Sequence, residues 1–282
     1  MRKDSRVLIE TMSEQLERLY QCCNRREFVT PDPVEFLYRY EDPADREIVG
    51  LVASSLAYGR VLQINRSVER VLERMTPFPS RFIRDASPEL LRRVFSGFRH
   101  RFTTGDEMAA MLLGVKEIVA GYGSLHACFR GVLGHGEGTV VRALTLFVER
   151  MCAVFPGCRN SLLPSPAGGS ACKRLHLFLR WMVRRDAVDP GGWDDVPASA
   201  LVIPLDTHMH RMSIGLGLTR SRQANMKTAL EITNSFRRMV PDDPVRYDFI
   251  LTRPGIWKNA GVDFPIDMNT LQGTAERMTD EA

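Results

Sequence analysis

An all-α fold is predicted for this chain of 282 residues. Three observations carry that expectation. Apolar residues recur at helical spacing along most of the sequence, no stretch alternates convincingly as a strand, and Gly- or Pro-containing breaks separate the periodic segments. With 44% hydrophobic residues and ordinary charge density, the chain can bury a full core as one large domain or as two lobes.

Leu8, Met12, Leu16, Leu19 and Cys23 fall on one helical face and define an N-terminal helix within residues 1–30. Pro31-Asp32-Pro33 stops it, and a short helix follows. Ile48 to Tyr58 reads as a central core helix, because Gly50, Ala53, Ser54, Ser55 and Ala57 let neighbours approach closely. Gly59-Arg60 breaks that helix. Val61, Ile64, Val68, Val71 and Met75 then mark the next one, with Arg66, Arg70 and Arg74 on its outer face.

After Pro77-Phe78-Pro79, the stretch Arg92 to Arg101 interleaves Phe95 and Phe98 with cations. Such mixing serves nucleic-acid strands, where cations meet phosphates and rings stack on bases, but it equally describes a solvated edge with two buried Phe. Helices are expected at Glu107 to Ala120, Ser124 to Leu133, Thr139 to Phe155 and Leu218 to Met239, with a last one beginning at Asp243. Residues 259–282 read as a polar tail.

Net charge is +4 with a pI near 8.8, an excess that suits a nucleic-acid partner without requiring one. Six cysteines, no signal peptide and no membrane-length apolar run point to a reduced cytoplasmic protein. Cys152 and Cys158 lack a second ligand pair at zinc spacing, so no metal is expected.

The most informative stretch runs from Gly168 to Arg211. A small-residue turn, Pro164 to Ser170, leads into a helix expected over Lys173 to Arg185. Leu175, Phe178, Leu179 and Met182 form its apolar stripe, while Lys173, Arg180 and Arg184 fall opposite, with Leu177 among them. Gly168, Gly169 and Ser170 place backbone N–H groups where an anion can be held. Asp206 follows the apolar run Leu201 to Leu205 at the start of another helix through Thr207, Met209 and Met212. It is read either as a plain N-cap or as a preorganised functional carboxylate.

Pro204, Leu205, Asp206, Thr207, His208 and Arg211, placed after a Gly-rich turn and a Lys-bearing helix, resemble the helix-hairpin-helix DNA glycosylases. The resemblance spans Phe36 to Ile256, and its specific part is the Asp206 motif. The turn at residues 164–170 departs from the family's Leu-Pro-Gly-x-Gly hairpin. What it implies is a two-lobed helical domain over residues 31–258, with Lys173 as nucleophile and Asp206 as catalytic carboxylate. The Lys-to-Asp interval of 33 residues, with an excursion from Asp186 to Ser199, is similar to the archaeal 8-oxoguanine glycosylase branch. Four closely spaced C-terminal cysteines hold an iron-sulfur cluster in some members, whereas no Cys follows Cys172 here.

The same resemblance implies a monomeric, nucleoid-associated repair enzyme acting on damaged duplex DNA without a cofactor. Gly168, Gly169, Ser170, Arg174, Arg180, His208 and Arg211 are its DNA-binding candidates, and Tyr58, His176, Leu177 and Trp181 its base-pocket candidates. Trp181 and Trp193 are equally core residues on composition. The chemistry would be expulsion of an oxidised purine by Lys attack at C1′, followed by strand cleavage 3′ to the lesion.

Two other readings stand beside it. One is a DNA-binding module without catalysis, in which Lys173 is a solvated surface cation. The other takes Leu201 to His210 as a strand ending in His-x-His, the start of many metal-dependent hydrolase barrels, although only 72 residues follow His210 and none is His.

Overall fold

The computed structural model describes residues 3–134, 136, 138–155 and 160–253, so the expected tail and Cys158 lie outside the described residues. Among the described residues the architecture is mostly helical. Helices α1 (Lys3–Cys23), α2 (Pro43–Ser55), α3 (Val61–Leu72), α4 (Pro79–Asp85), α5 (Pro88–Phe95) and α6 (Gly105–Tyr122) come first. They are followed by α7 (Leu125–Val132), α8 (Val141–Cys152), α9 (Lys173–Val183), α10 (Thr207–Gly215) and α11 (Met226–Arg237). One strand pair interrupts them, a two-residue antiparallel hairpin of β1 (Arg99–His100) and β2 (Thr103–Thr104) that the sequence reading did not anticipate. Among the described residues no single helix is long and apolar enough to cross a membrane.

Local chemistry starts most of these helices. Asp42, Ser87, Ser124 and Asn225 accept hydrogen bonds from first-turn N–H groups of α2, α5, α7 and α11. Thr104 and Glu107 form a reciprocal capping box at α6. The expected helix from Leu218 is shorter, because Asn225 caps α11 and residues 218–225 form turns before it.

Helix α2 packs on α9 and on the 3-10 helix Pro33–Arg39. The small-residue reading of this segment holds at Gly50, where an added Cβ would sit 3.3 Å from Leu37 and Met182. Helix α6 is the hub of α4, α5, α7 and α8. Its Gly114 lets the backbone of α8 come in so close that a Cβ would lie 2.4 Å from the Met151 carbonyl oxygen.

The excursion after α9 changes the expected polarity of that helix. Its chain folds back, so that Gly191 N–H donates to the Trp181 carbonyl and Trp193 N–H to the Met182 carbonyl. Helix α9 therefore ends at Val183, two residues before the expected Arg185. Trp193 is buried against Phe129 and Phe178 and donates its indole N–H to Glu47 Oε1 at 2.9 Å. Burial pushes the Glu47 carboxyl above its ordinary range.

Arg180 and Arg184 do not face solvent. Arg180, 2% exposed, donates to Asp189 at 3.1 Å and to Asp248. Arg184 pairs with Asp186, Asp189 and Asp243. The helical wheel showed two faces of α9, but the excursion and the Asp243–Asp248 region cover the second face with carboxylates.

Candidate active site

Lys173 opens α9, and its position follows from an unusual helix start. Cys172 before it is left-handed at φ 45°, and no side chain caps the helix. The amine donates to the Ala57 carbonyl at 3.2 Å, just past the end of α2. Asp206 arrives from elsewhere in the chain, at the end of the buried segment Leu201 to Leu205, which Thr233 anchors by accepting from Ile203 N–H at 3.0 Å. Its Oδ1 caps α10, accepting from His208 N–H at 2.9 Å and Met209 N–H at 2.8 Å. Its Oδ2 stands 3.7 Å from Lys173 Nζ.

Both side chains are about one-third exposed, at 29% and 35%, because they line an open cavity of about 470 Å³. That volume lies within the ordinary range for small-molecule sites. Tyr58, Leu177 and His208, named from the sequence, share the lining. Tyr58 is held rigidly: its hydroxyl donates to the His100 carbonyl at 2.9 Å, and its ring lies under the Arg174 guanidinium at 4.9 Å. His208 Nδ1 accepts from Arg211, itself exposed, at 3.1 Å, and His208 Nε2 is buried without a partner.

Three candidates, Arg180, His176 and Trp181, are corrected. Arg180 is enclosed by Asp189 and Asp248 and has no free face for a phosphate. Arg174 also lines the cavity, half-buried, and its guanidinium is engaged by the Ser55 and Ser161 carbonyls and lies over the Tyr58 ring. His176 is wholly buried with neither ring nitrogen bonded, and burial pushes its pKa down to about 4. Trp181 is fully buried and does not line the cavity. The last two are buried in the inward face of α9 and do not line the cavity.

The turn residues Gly168, Gly169 and Ser170 are exposed. Gly169 is left-handed at φ 76°, and its carbonyl accepts from Met226 N–H at 3.0 Å, which moors the turn to the start of α11. The strand reading of Leu201 to His210 is overturned at its end. Residues from Thr207 are helical, so His208 and His210 diverge, and His210 bonds the Ser221 carbonyl at 2.8 Å.

A family described as a protein of unknown function, DUF2400, matches residues 32–257. The chain belongs to that family. No curated protein and no solved structure matches it. The match takes in Lys173 and Asp206, whereas α1 of this DUF2400 chain precedes it. That helix nevertheless joins the core through Leu16 and Leu19, and its Glu17 pairs with Arg246 at 2.7 Å.

Three residues of the site escaped sequence reasoning. Asp32 and Thr252 line the cavity, and Asp32 is fixed by Val34 N–H and by Arg253. Asp248 lies behind it, where burial pushes its carboxyl up against the opposing pull of Arg180, and its Oδ1 is unpartnered. Pro31-Asp32-Pro33 was legible as a break, but nothing local shows that a break some 140 residues before Lys173 faces the same cavity.

Proposed function

We propose that this DUF2400 protein is a DNA glycosylase with lyase activity, and that Lys173 and Asp206 are its catalytic pair. The observation that carries the reading is the meeting of the amine and the carboxylate, 3.7 Å apart and both partly exposed, at the wall of one open cavity. Glycosidic cleavage develops positive charge on the sugar, and a carboxylate beside C1′ stabilises it. The amine in its neutral form attacks C1′. The C–N bond breaks toward the base, which leaves with the electron pair and takes up a proton. Loss of the amine's protons and opening of the sugar ring yield the imine. Removal of a C2′ proton then expels the 3′ phosphate.

A base reaches such a cavity only when it is rotated out of the duplex. Tyr58 and Leu177 supply aromatic and aliphatic wall for it. The uncapped start of α9 and the exposed turn Gly168 to Ser170 offer backbone N–H groups to a phosphate. The two-lobed helix-hairpin-helix arrangement, the duplex substrate and the preference for an oxidised purine come from the resemblance of the Asp206 motif and the long Lys-to-Asp interval.

The test is borohydride trapping on duplexes carrying 8-oxoguanine, an abasic site or no lesion, with Lys173→Gln beside the native protein. A covalent adduct that vanishes in Lys173→Gln is the expected result. Base excision without any adduct would make the enzyme a hydrolytic glycosylase, and binding without excision across a lesion panel would leave a non-catalytic module.

A further inference from the structure

The basic-aromatic stretch Arg92 to Arg101 is followed directly by another ring, Phe102. Phe95 and Phe98 are buried, as the solvated-edge reading expects. Phe102 is not: it occupies the turn between β1 and β2 with 62% of its surface exposed, among the most exposed large apolar side chains described. Its ring stacks on Tyr58, with centroids 4.9 Å apart and planes at 27°. Tyr58 cannot turn away, because the edge-on His100 ring lies 4.6 Å from it and its hydroxyl is within 2.6 Å of Thr103 Oγ1. The tip is seated too. Arg101, left-handed at φ 52°, lays its side chain against Gly59, where an added Cβ would sit 3.0 Å from Arg101 Cδ.

We propose that Phe102 and Tyr58 form a two-ring stacking platform that receives an unpaired base of the bound strand at the mouth of the Lys173–Asp206 cavity. The proposal rests on the nucleic-acid reading above and adds to it the surface that holds the strand. Tyr58 lines the cavity while Phe102 continues its stack outward to solvent, so a base laid on Phe102 extends an existing column. Alongside runs a surface trough lined by Arg66, Arg70, Arg99 and Arg101. Of its two acidic residues, Glu69 is engaged by Arg39 at 2.9 Å. Aromatic faces next to a cationic groove are the combination that grips unstacked nucleotides with little sequence preference.

The experiment measures anisotropy-based affinity for a duplex with a central tetrahydrofuran abasic analogue, comparing native protein, Phe102→Ala and Phe102→Trp. Phe102→Ala is expected to bind this duplex about tenfold more weakly, since stacking is worth about one decade per base in alanine substitutions. Its melting temperature should be unchanged, because the ring is exposed. In Phe102→Trp, duplex binding should quench fluorescence beyond whatever change the native protein shows with its own three tryptophans. Affinity of Phe102→Ala within twofold of native, or no quenching beyond the native change, overturns the platform alone. A native protein that binds no DNA overturns both the platform and the glycosylase reading. Stacking that survives with no excision on any lesion keeps the platform and removes the enzyme.

Discussion

Asp206 divides its carboxylate between two tasks: Oδ1 caps α10 through the N–H groups of His208 and Met209, and Oδ2 stands 3.7 Å from the Lys173 amine. Capping and the proposed catalytic role, which compete as readings of the sequence, are geometrically compatible in one side chain. The cap orients the plane of the carboxylate, so the second oxygen is aimed without needing other partners.

That division separates stability from chemistry. Asn is as good an N-cap as Asp but carries no charge, so Asp206→Asn should unfold within about 0.5 kcal/mol of native while losing excision. Asp206→Ala removes the cap as well and should cost about 1 kcal/mol in denaturant unfolding. Equal loss of stability in both variants would deny the cap its role.

Removing Arg180 leaves Asp189 and Asp248 buried without their shared cation. Arg180→Ala should therefore destabilise by about 3–5 kcal/mol, far beyond the effect of losing a surface cation. Calorimetric melting of the variant checks this, and a shift of less than a degree would return Arg180 to the surface.

His176 predicts a pH dependence of stability. Its ordinary pKa of 6.5 is pushed down to about 4 by burial, so the unfolded chain takes up a proton that the folded chain refuses. The contribution is intact above about pH 6.5 and drains away as pH falls toward 4, amounting to a loss on the order of 3 kcal/mol at about 1.4 kcal/mol per pH unit. His176→Leu also removes two unbonded buried nitrogens, so it should match or exceed native stability at pH 7. Its unfolding free energy should fall less between pH 6.5 and 4, as read from urea titrations at several pH values.

Glu17 sets a second acid-sensitive contact, between α1 and the chain beyond α11. Hydrogen bonds from Arg246 hold its carboxyl down at about 2, against an ordinary 4.5. The stabilisation is present above about pH 4.5 and lost as pH falls through about 2. Because the Glu17 side chain is more than a third exposed, solvent screening keeps the effect within about 1 kcal/mol. Faster amide exchange along α1 in Glu17→Gln at pH 7, with α6 unchanged, is the expected signature.

The sequence by itself determined the helical class, the order of most helices and the two residues on which the functional reading rests. Periodicity and the Asp206 motif are local, and α3, α6 and α9 all begin within two residues of their expected starts. Tertiary structure decided which faces are inside. Arg180 and Arg184 look like an outer face because a helical wheel gives the angle between side chains and not what packs on each side. Only the folded excursion, with Asp189 and Asp186, turns that face into a buried ionic layer. Asp32, Tyr58, Lys173, Asp206 and Thr252 meet because α2 packs on α9 and brings the chain ends around both helices to one cavity. Contacts between residues so far apart depend on loop closure and packing across the whole core, and no window of local sequence contains them.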